Sequence, residues 1–144
     1  MIERCVDANI AIKWVISNEF FCAEARAFLE YAETNGISLI APPIFFSEVD
    51  SVIRKHVFYD RMTKNDAYKA YMLLDQIPVK VLEIPSVRQL ARDIAERFNQ
   101  RAVYDATYAA LAELRGCEFW TADKVFYNVV KSDLKYVKYL PDYL

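Results

Sequence analysis

Hydrophobic and polar residues follow two kinds of pattern along this chain, one typical of helices and one typical of buried strands. From Val87 to Phe98, apolar residues recur every three or four positions, which predicts an amphipathic helix. The run ISLIA at 37–41 is continuously apolar, has the length of a strand, and ends at Pro42-Pro43. Judged in the same way, strands are predicted at 2–6, 37–41, 79–82, 118–121 and 136–140, and helices at 9–15, 21–32, 44–56, 63–74, 87–98, 103–115 and 124–131. Strands separated by helices favour an α/β fold, with a mostly parallel central sheet covered by helices on both faces.

The stretch 103–123, VYDATYAALAELRGCEFWTAD, combines a helix, a turn and a strand. Asp105 stands at the start of the helix, and Arg115-Gly116 ends it with a cation in the last turn and a glycine just beyond. The strand EFWT follows, and Asp123 lies just past its carboxyl end. Helix starts and strand ends meet at the carboxyl edge of a parallel sheet, where open α/β folds bind their ligands.

Two further acids share this predicted position. Asp7 follows the first strand, and Glu48 lies one turn into the helix after the second strand. Four clustered carboxylates disfavour one another's ionisation, and a divalent cation relieves that repulsion. Oxygen ligands without histidine or thiolate select Mg²⁺, or Mn²⁺ in its place, over zinc. Such a site suits the in-line attack of water on a phosphodiester.

Composition narrows the classes of protein. The 144 residues predict a single domain, 1–144, with 55% hydrophobic residues and a net charge of -2. Two glycines do not suffice for a phosphate-binding loop or a dinucleotide fingerprint, and one histidine, His56, without a G-x-S-x-G elbow argues against a serine triad. Three scattered cysteines predict reduced thiols. Without an apolar run of spanning length or a signal-like amino terminus, we expect a cytoplasmic protein with no membrane partner.

Four segments resemble the motif regions of PIN-domain ribonucleases, most of all the VapC toxins of type II toxin–antitoxin systems. They are CVDANIAIKW, PPIFFSEVDSVIRK, AVYDATYAALAE and FWTADKVFYN, and they occur in the family's order and spacing. The resemblance implies a three-layer fold with a five-stranded parallel sheet of order 3-2-1-4-5. It departs at Ser51, where many relatives carry asparagine three residues after the glutamate, and this bears on the contacts around Glu48.

The resemblance also implies roles for individual residues. Asp7 and Asp105 would bind Mg²⁺, and Glu48 and Asp123 would complete a four-carboxylate catalytic site. Asn9 and Thr121 would orient the carboxylates by hydrogen bonding. The implied activity is Mg²⁺-dependent endonucleolytic cleavage of RNA. The implied partners are a cognate antitoxin protein, which would block the acidic site, and a second copy of the chain in a homodimer.

Structural roles for the same acids stay open at this point. Asp7 and Asp123 suit the N-cap position of a helix, Asp105 the first turn of one, and Glu48 a solvated helix face. Lys13 and Arg101 could contact phosphate or lie on the surface. The tyrosines from Tyr127 to Tyr143 could stack on RNA bases, but packing on the sheet or in a dimer interface is the simpler role.

Two other classes of protein compete with the nuclease. One is a non-catalytic RNA- or protein-binding module on the same fold, against which the presence of all four acids argues. The other is a Mg²⁺-dependent phosphatase of the haloacid dehalogenase type. That mechanism needs a second aspartate two residues after the first, where this chain has Asn9.

Overall fold

The computed structural model describes residues 2–143, which form a five-stranded, all-parallel sheet with helices on both faces. The strands are β1 (Glu3–Val6), β2 (Ser38–Ala41), β3 (Val79–Val81), β4 (Glu118–Thr121) and β5 (Val137–Tyr139). Their order in the sheet is β3-β2-β1-β4-β5, so β1 and β4 are neighbours and Cys5 pairs with Phe119. The predicted fold and strand order are confirmed.

Seven helices connect the strands. They are α1 (Ala8–Val15), α2 (Cys22–Thr34), α3 (Ile44–Phe58), α4 (Lys64–Gln76), α5 (Pro85–Arg97), α6 (Tyr104–Arg115) and α7 (Lys124–Val130), and a short 3₁₀ helix covers Leu140–Asp142. Every predicted helix and strand is present, with each end within about two residues of its predicted position, the usual uncertainty of helix ends.

Local sequence explains where several helices begin and end. The Thr63 side chain accepts a hydrogen bond of 3.0 Å from the Asp66 backbone N–H and so caps α4. Pro85 occupies the first position of α5, where its missing N–H has no effect on the helix. Gly116 ends α6 at a φ of 65°, a left-handed conformation that glycine adopts without the steric cost of a side chain.

The core lies on both sides of the sheet, because the central strands are covered by helices on each face. Cys5, Val6, Ile40 and Phe119 are fully buried. On α6, small buried residues allow the helix to approach β1 and α5 closely; these are Ala106, Ala109, Ala110 and Ala112. The Tyr108 ring stacks on Phe119 with 5.7 Å between the ring centroids. The helix that carries Asp105 is therefore held rigidly against the centre of the sheet.

An arginine cluster is formed by the Arg4 guanidinium of β1 and the rings of Phe28, Tyr31, Trp120 and Tyr143. The guanidinium carbon lies 5.2–5.9 Å from the four ring centroids. The rings come from α2, from β4 and from the residue that follows the 3₁₀ helix. Cation–π attraction therefore ties β1 to three other parts of the fold. Trp120 and Tyr143 are thus packing residues, as the simpler interpretation of the tyrosine-rich tail predicted.

Among the helices that the structure describes, none is long and apolar enough to cross a membrane.

Candidate active site

Asp7 is the first residue after β1, and it is buried, with 2% of its surface exposed. Its Oδ1 accepts a hydrogen bond of 3.0 Å from the Ile10 backbone N–H, so Asp7 caps α1. Its Oδ2 accepts a short hydrogen bond from the Thr121 hydroxyl. A backbone hydrogen bond from Ala122 also stabilises the ionised Asp7 carboxylate.

Thr121 is the fully buried last residue of β4, and it links two of the acids. While its hydroxyl donates to Asp7, its Oγ1 also accepts from the Asp123 backbone N–H at 3.0 Å. Asp123 in turn caps α7, its side chain accepting from the Phe126 N–H at 3.0 Å. The parallel register of β1 and β4, with Val6 opposite Trp120, brings these groups to one edge of the sheet.

Asp105 lies in the first turn of α6 and faces the other three acids. Its pKa is raised to about 7, first by burial and then by the negative charges of Asp123 and Asp7. A hydrogen bond with the Asp123 side chain and the charge of Glu48 raise it further. The charges of the other three acids thus all raise the pKa of Asp105, although the four residues come from four separate parts of the chain.

The pKa of Asp7 is also raised, to about 6, mainly by burial. The hydrogen bonds from Thr121 and from the Ile10 backbone oppose this shift by stabilising the ionised form. Around neutral pH, Asp7 and Asp105 are therefore close to the point at which a proton is gained or lost.

Glu48 lies one turn into α3 and is partly buried. Its Oε1 accepts a hydrogen bond of 2.9 Å from the Tyr108 hydroxyl. Burial raises the pKa of Glu48, and burial together with the Glu48 charge raises the pKa of Tyr108. Tyr108 therefore stays a neutral donor that fixes the Glu48 carboxylate. Sequence reasoning assigned Tyr108 to the core only; its position three residues after Asp105 on the same helix was the available hint.

Within residues 2–143, the remaining sequence candidates form no hydrogen bond or ion pair with the four acids. Asn9 is exposed on α1, and its side chain makes no hydrogen bond with any described residue. Lys13 pairs with Glu19 at 3.8 Å, and Arg101 is exposed before α6. His56 lies two turns beyond Glu48 along α3 and is partly exposed. Of the two predicted orienting residues, Thr121 forms hydrogen bonds with Asp7 and Asp123, whereas Asn9 forms none with a described acid.

The chemistry of the donor set fits a hard divalent cation, since it contains carboxylates and a hydroxyl but no imidazole or thiolate. Within residues 2–143, no three or more His, Cys, Asp or Glu side chains form a group that could by itself hold a metal ion. Mg²⁺ does not require such a group, because it keeps several waters and is usually held by one or two carboxylates together with substrate phosphates. Asp7 and Asp105 are the pair that could supply them.

Carboxylates follow β1 and β4, which are neighbouring strands of a parallel sheet. This arrangement defines a class of α/β protein. The PIN domain family matches residues 4–132, and the chain belongs to that family. PIN domains are generally nucleases that use a divalent metal, so membership supports nuclease activity in general.

Two solved structures have the same fold. PAE2754 from Pyrobaculum aerophilum superposes with a TM-score of 0.66 at 20% identity, covering 97% of this chain and 92% of that one. VapBC2 from Rickettsia felis, bound to a DNA fragment from their promoter, gives a TM-score of 0.67 at 11% identity, with 96% and 98% covered. At these identities the likeness concerns the fold alone. A search of curated proteins found no match.

Proposed function

We propose that this protein is a Mg²⁺-dependent endoribonuclease and the toxin of a toxin–antitoxin pair. The observation that supports the proposal is the buried position of Asp105 in the first turn of α6, where the charges of Asp123, Asp7 and Glu48 all raise its pKa. Burial is the largest cause of this raised pKa, and a bound cation would relieve the further part that comes from repulsion among the acids. The chain's membership of a family of nucleases supports the same activity.

Asp7 and Asp105 would hold the metal, Mg²⁺ or Mn²⁺, and both would be ionised when it is bound. When bound, the metal lowers the pKa of water and stabilises charge on a phosphodiester undergoing in-line attack. Thr121 would keep Asp7 in its orientation, and the Tyr108 hydroxyl would do the same for Glu48. Glu48 and Asp123 would accept hydrogen bonds from water at the site, completing the four-carboxylate arrangement.

The biological role is proposed from resemblance and fold. The toxin of such a pair is inhibited by a cognate antitoxin protein, and we extend this partner and a homodimeric state to the present chain. The VapBC2 complex of Rickettsia felis has the same fold, which is compatible with the role. The substrate would be RNA, whose phosphodiester bonds a metal-assisted site of this kind hydrolyses.

The proposal is tested by cleavage of total RNA with Mg²⁺ and with EDTA. Asp7→Asn and Asp105→Asn keep the shape of the side chains and remove the charge. We expect metal-dependent cleavage by the wild type and a loss of at least about 100-fold in both variants. Asp93→Asn, at an exposed position on α5, is the matched control and should keep full activity.

Three results would contradict the proposal. Cleavage that persists in EDTA or in both site variants would show that these acids do not carry the reaction. No cleavage together with no Mg²⁺ binding in titration calorimetry would favour a non-catalytic binding module. Hydrolysis of a phosphomonoester without cleavage of RNA would favour the phosphatase.

A further inference from the structure

The α3–α4 connection has an electrostatic character opposite to that of the rest of the protein. We define the basic lobe as residues 54–69, the end of α3, the turn and the beginning of α4. It contains five lysines and arginines against two aspartates, a net charge of +3, so the rest of a chain of net charge -2 carries -5. The five cations are Arg54, Lys55, Arg61, Lys64 and Lys69, and all are exposed.

The cations of the basic lobe are available to a partner. None of the five forms an ion pair with a described residue; the three ion pairs within residues 2–143 involve Arg4, Lys13 and Arg115, all outside the lobe. Concentrated cations that outnumber the nearby acids create a local positive potential, which attracts polyanions even to a protein of negative net charge.

Exposed aromatic rings are interleaved with these cations. Phe58, Tyr59 and Tyr68 are 66%, 60% and 64% exposed. The Arg61 guanidinium lies 5.7 Å from the Tyr59 ring centroid. Aromatic rings on a basic surface are the usual means of binding single-stranded nucleic acid, because every base can stack on them whatever the sequence.

Two grooves run between α3 and α4 on this surface. One, of about 250 Å³, is lined by Arg54, Lys64, Tyr68 and Tyr71 among others. The second, of about 360 Å³, shares Arg54 and Tyr71 and continues to Lys55, Ser51 and Asp50. Asp50 is the one acid among the residues lining the two grooves, against three cations.

The second groove begins one helical turn from the candidate active site. Ser51 and Lys55 follow Glu48 at three and seven residues, which places them on the same face of α3. With a rise of 1.5 Å per residue, Lys55 lies about 10 Å along the helix axis from Glu48. A strand whose phosphate sits at the acids could therefore continue along the grooves.

We infer that the basic lobe is the binding surface for single-stranded RNA on one side of the scissile phosphate. Arg54, Lys55 and Lys64 contact its phosphates, and Tyr68 stacks on a base. The inference rests on the proposed function for its choice of RNA. An acidic protein segment is the competing partner, but the exposed rings spaced between cations favour bases over carboxylates.

The test measures binding separately from cleavage, with the full chain in EDTA and a fluorescein-labelled oligouridylate followed by fluorescence anisotropy. The lobe variant is Arg54→Gln, Lys55→Gln and Lys64→Gln combined. The matched control neutralises three exposed cations elsewhere, Arg26→Gln, Lys80→Gln and Lys135→Gln. Thermal melting of each variant verifies that it is folded.

We expect the lobe variant to bind more weakly and its log K against log[salt] slope to fall by about 2, from three lost contacts of about 0.7 each. The control should keep at least most of the wild-type slope. Tyr68→Ser should raise Kd about fivefold or more through lost stacking. Equal losses in the lobe and control variants, or no loss in the lobe variant, would overturn the inference.

Two further outcomes separate this inference from the proposed function. Lobe-dependent RNA binding without any Mg²⁺-dependent cleavage would refute the nuclease and leave the binding surface standing. Poly-L-glutamate that binds in a lobe-dependent way while oligouridylate does not would assign the surface to an acidic protein segment and overturn the inference.

Discussion

Thr121 joins the two aspartates that follow the central strands, and its hydroxyl is both donor and acceptor there. Replacing it by valine keeps the shape and leaves a buried carboxylate oxygen and a backbone N–H without this partner. We expect Thr121→Val to lower the free energy of unfolding by about 1–3 kcal/mol in urea denaturation. Thr107→Val is the control, because its hydroxyl bonds only to the Val103 carbonyl in its own helix at the surface.

The effect of Thr121→Val on activity follows from the same contacts. Without the Thr121 hydroxyl the pKa of Asp7 should rise further, since that hydrogen bond stabilises the ionised form. RNA cleavage should then reach its maximum at a higher pH than in the wild type. An unchanged pH profile with a normal rate would show that Asp7 does not need this contact.

The carboxyl groups of Asp7 and Asp105 predict how stability depends on pH. Their pKa values in the folded chain, about 6 and about 7, lie above the usual 3.8, so folding favours their protonated forms. The contribution to stability is complete below about pH 4 and is lost as pH rises through 6 and 7. In EDTA, Asp105→Asn should therefore stabilise the protein at pH 7.5 by about 1 kcal/mol or more, and have little effect at pH 4.

That prediction is measured by urea denaturation of wild type and Asp105→Asn at the two pH values, with Asp93→Asn as an exposed control. Equal stability of wild type and Asp105→Asn at pH 7.5 would show that the four acids do not repel one another in the metal-free chain. Saturating Mg²⁺ should reverse the ranking, because only the wild type would gain stability from binding.

At the scale of individual residues, only part of the candidate site could be predicted from the sequence. The four acids could be proposed from sequence because strand ends and helix starts share one edge of a parallel sheet. The Tyr108–Glu48 hydrogen bond could not be predicted, because it joins residues 60 positions apart and no local pattern encodes it. Tyr108 fitted the apolar stripe of α6 equally well, since its ring does lie in the core.

At the scale of elements, a glycine follows the end of α2 and another follows the end of α6, and substitutions can test the conformation of each. Gly116 and Gly36 both have a φ of 65°, and an added Cβ would meet no atom within 4 Å at either position. Alanine would therefore fit sterically but would strain the backbone. We expect Gly116→Ala and Gly36→Ala each to lower the free energy of unfolding by about 1 kcal/mol in urea denaturation.

Asparagine at the same two positions should be tolerated better than alanine, because it visits the left-handed region more readily. A neutral effect of alanine at both sites would contradict the assignment of left-handed turns. A much larger loss at Gly116 alone would point to a packing role of the α6–β4 connection beyond its backbone conformation.

Most of what the sequence predicted about the fold concerned the positions of its helices and strands. Alternating helical periods and short apolar runs located each strand and helix, because burial on one face imposes a period that is visible locally. The order of the strands came from family resemblance, since periodicity carries no information about which strands are neighbours. The helix ends shifted by a residue or two where capping, rather than periodicity, decides them.

At the scale of the whole molecule, the arginine cluster joins parts of the fold that are far apart in sequence. Arg4 of β1 contacts rings from α2, β4 and the carboxyl-terminal segment, and pairs with Glu118 at 3.7 Å. We expect Arg4→Ala to lower the free energy of unfolding by about 2 kcal/mol in urea denaturation. Arg115→Ala, which breaks an exposed ion pair with Glu3, should cost less than about 1 kcal/mol.

Similar losses in Arg4→Ala and Arg115→Ala would show that the cluster behaves as an ordinary surface contact. Arg4→Lys separates charge from shape, because lysine keeps the charge but cannot lie flat between several rings. Most of the loss should therefore persist in Arg4→Lys.

Asp7 and Asp123 each have a structural role besides the proposed catalytic one, because their carboxylates cap α1 and α7. An alanine at either position would remove a helix cap, worth about 1 kcal/mol, as well as a charge. In a living cell such a variant could lose its effect on growth simply because less folded protein accumulates. In a growth assay, alanine variants would therefore not distinguish lower abundance from lost catalysis. Asparagine variants would distinguish them, because asparagine is itself a good N-cap and removes only the charge.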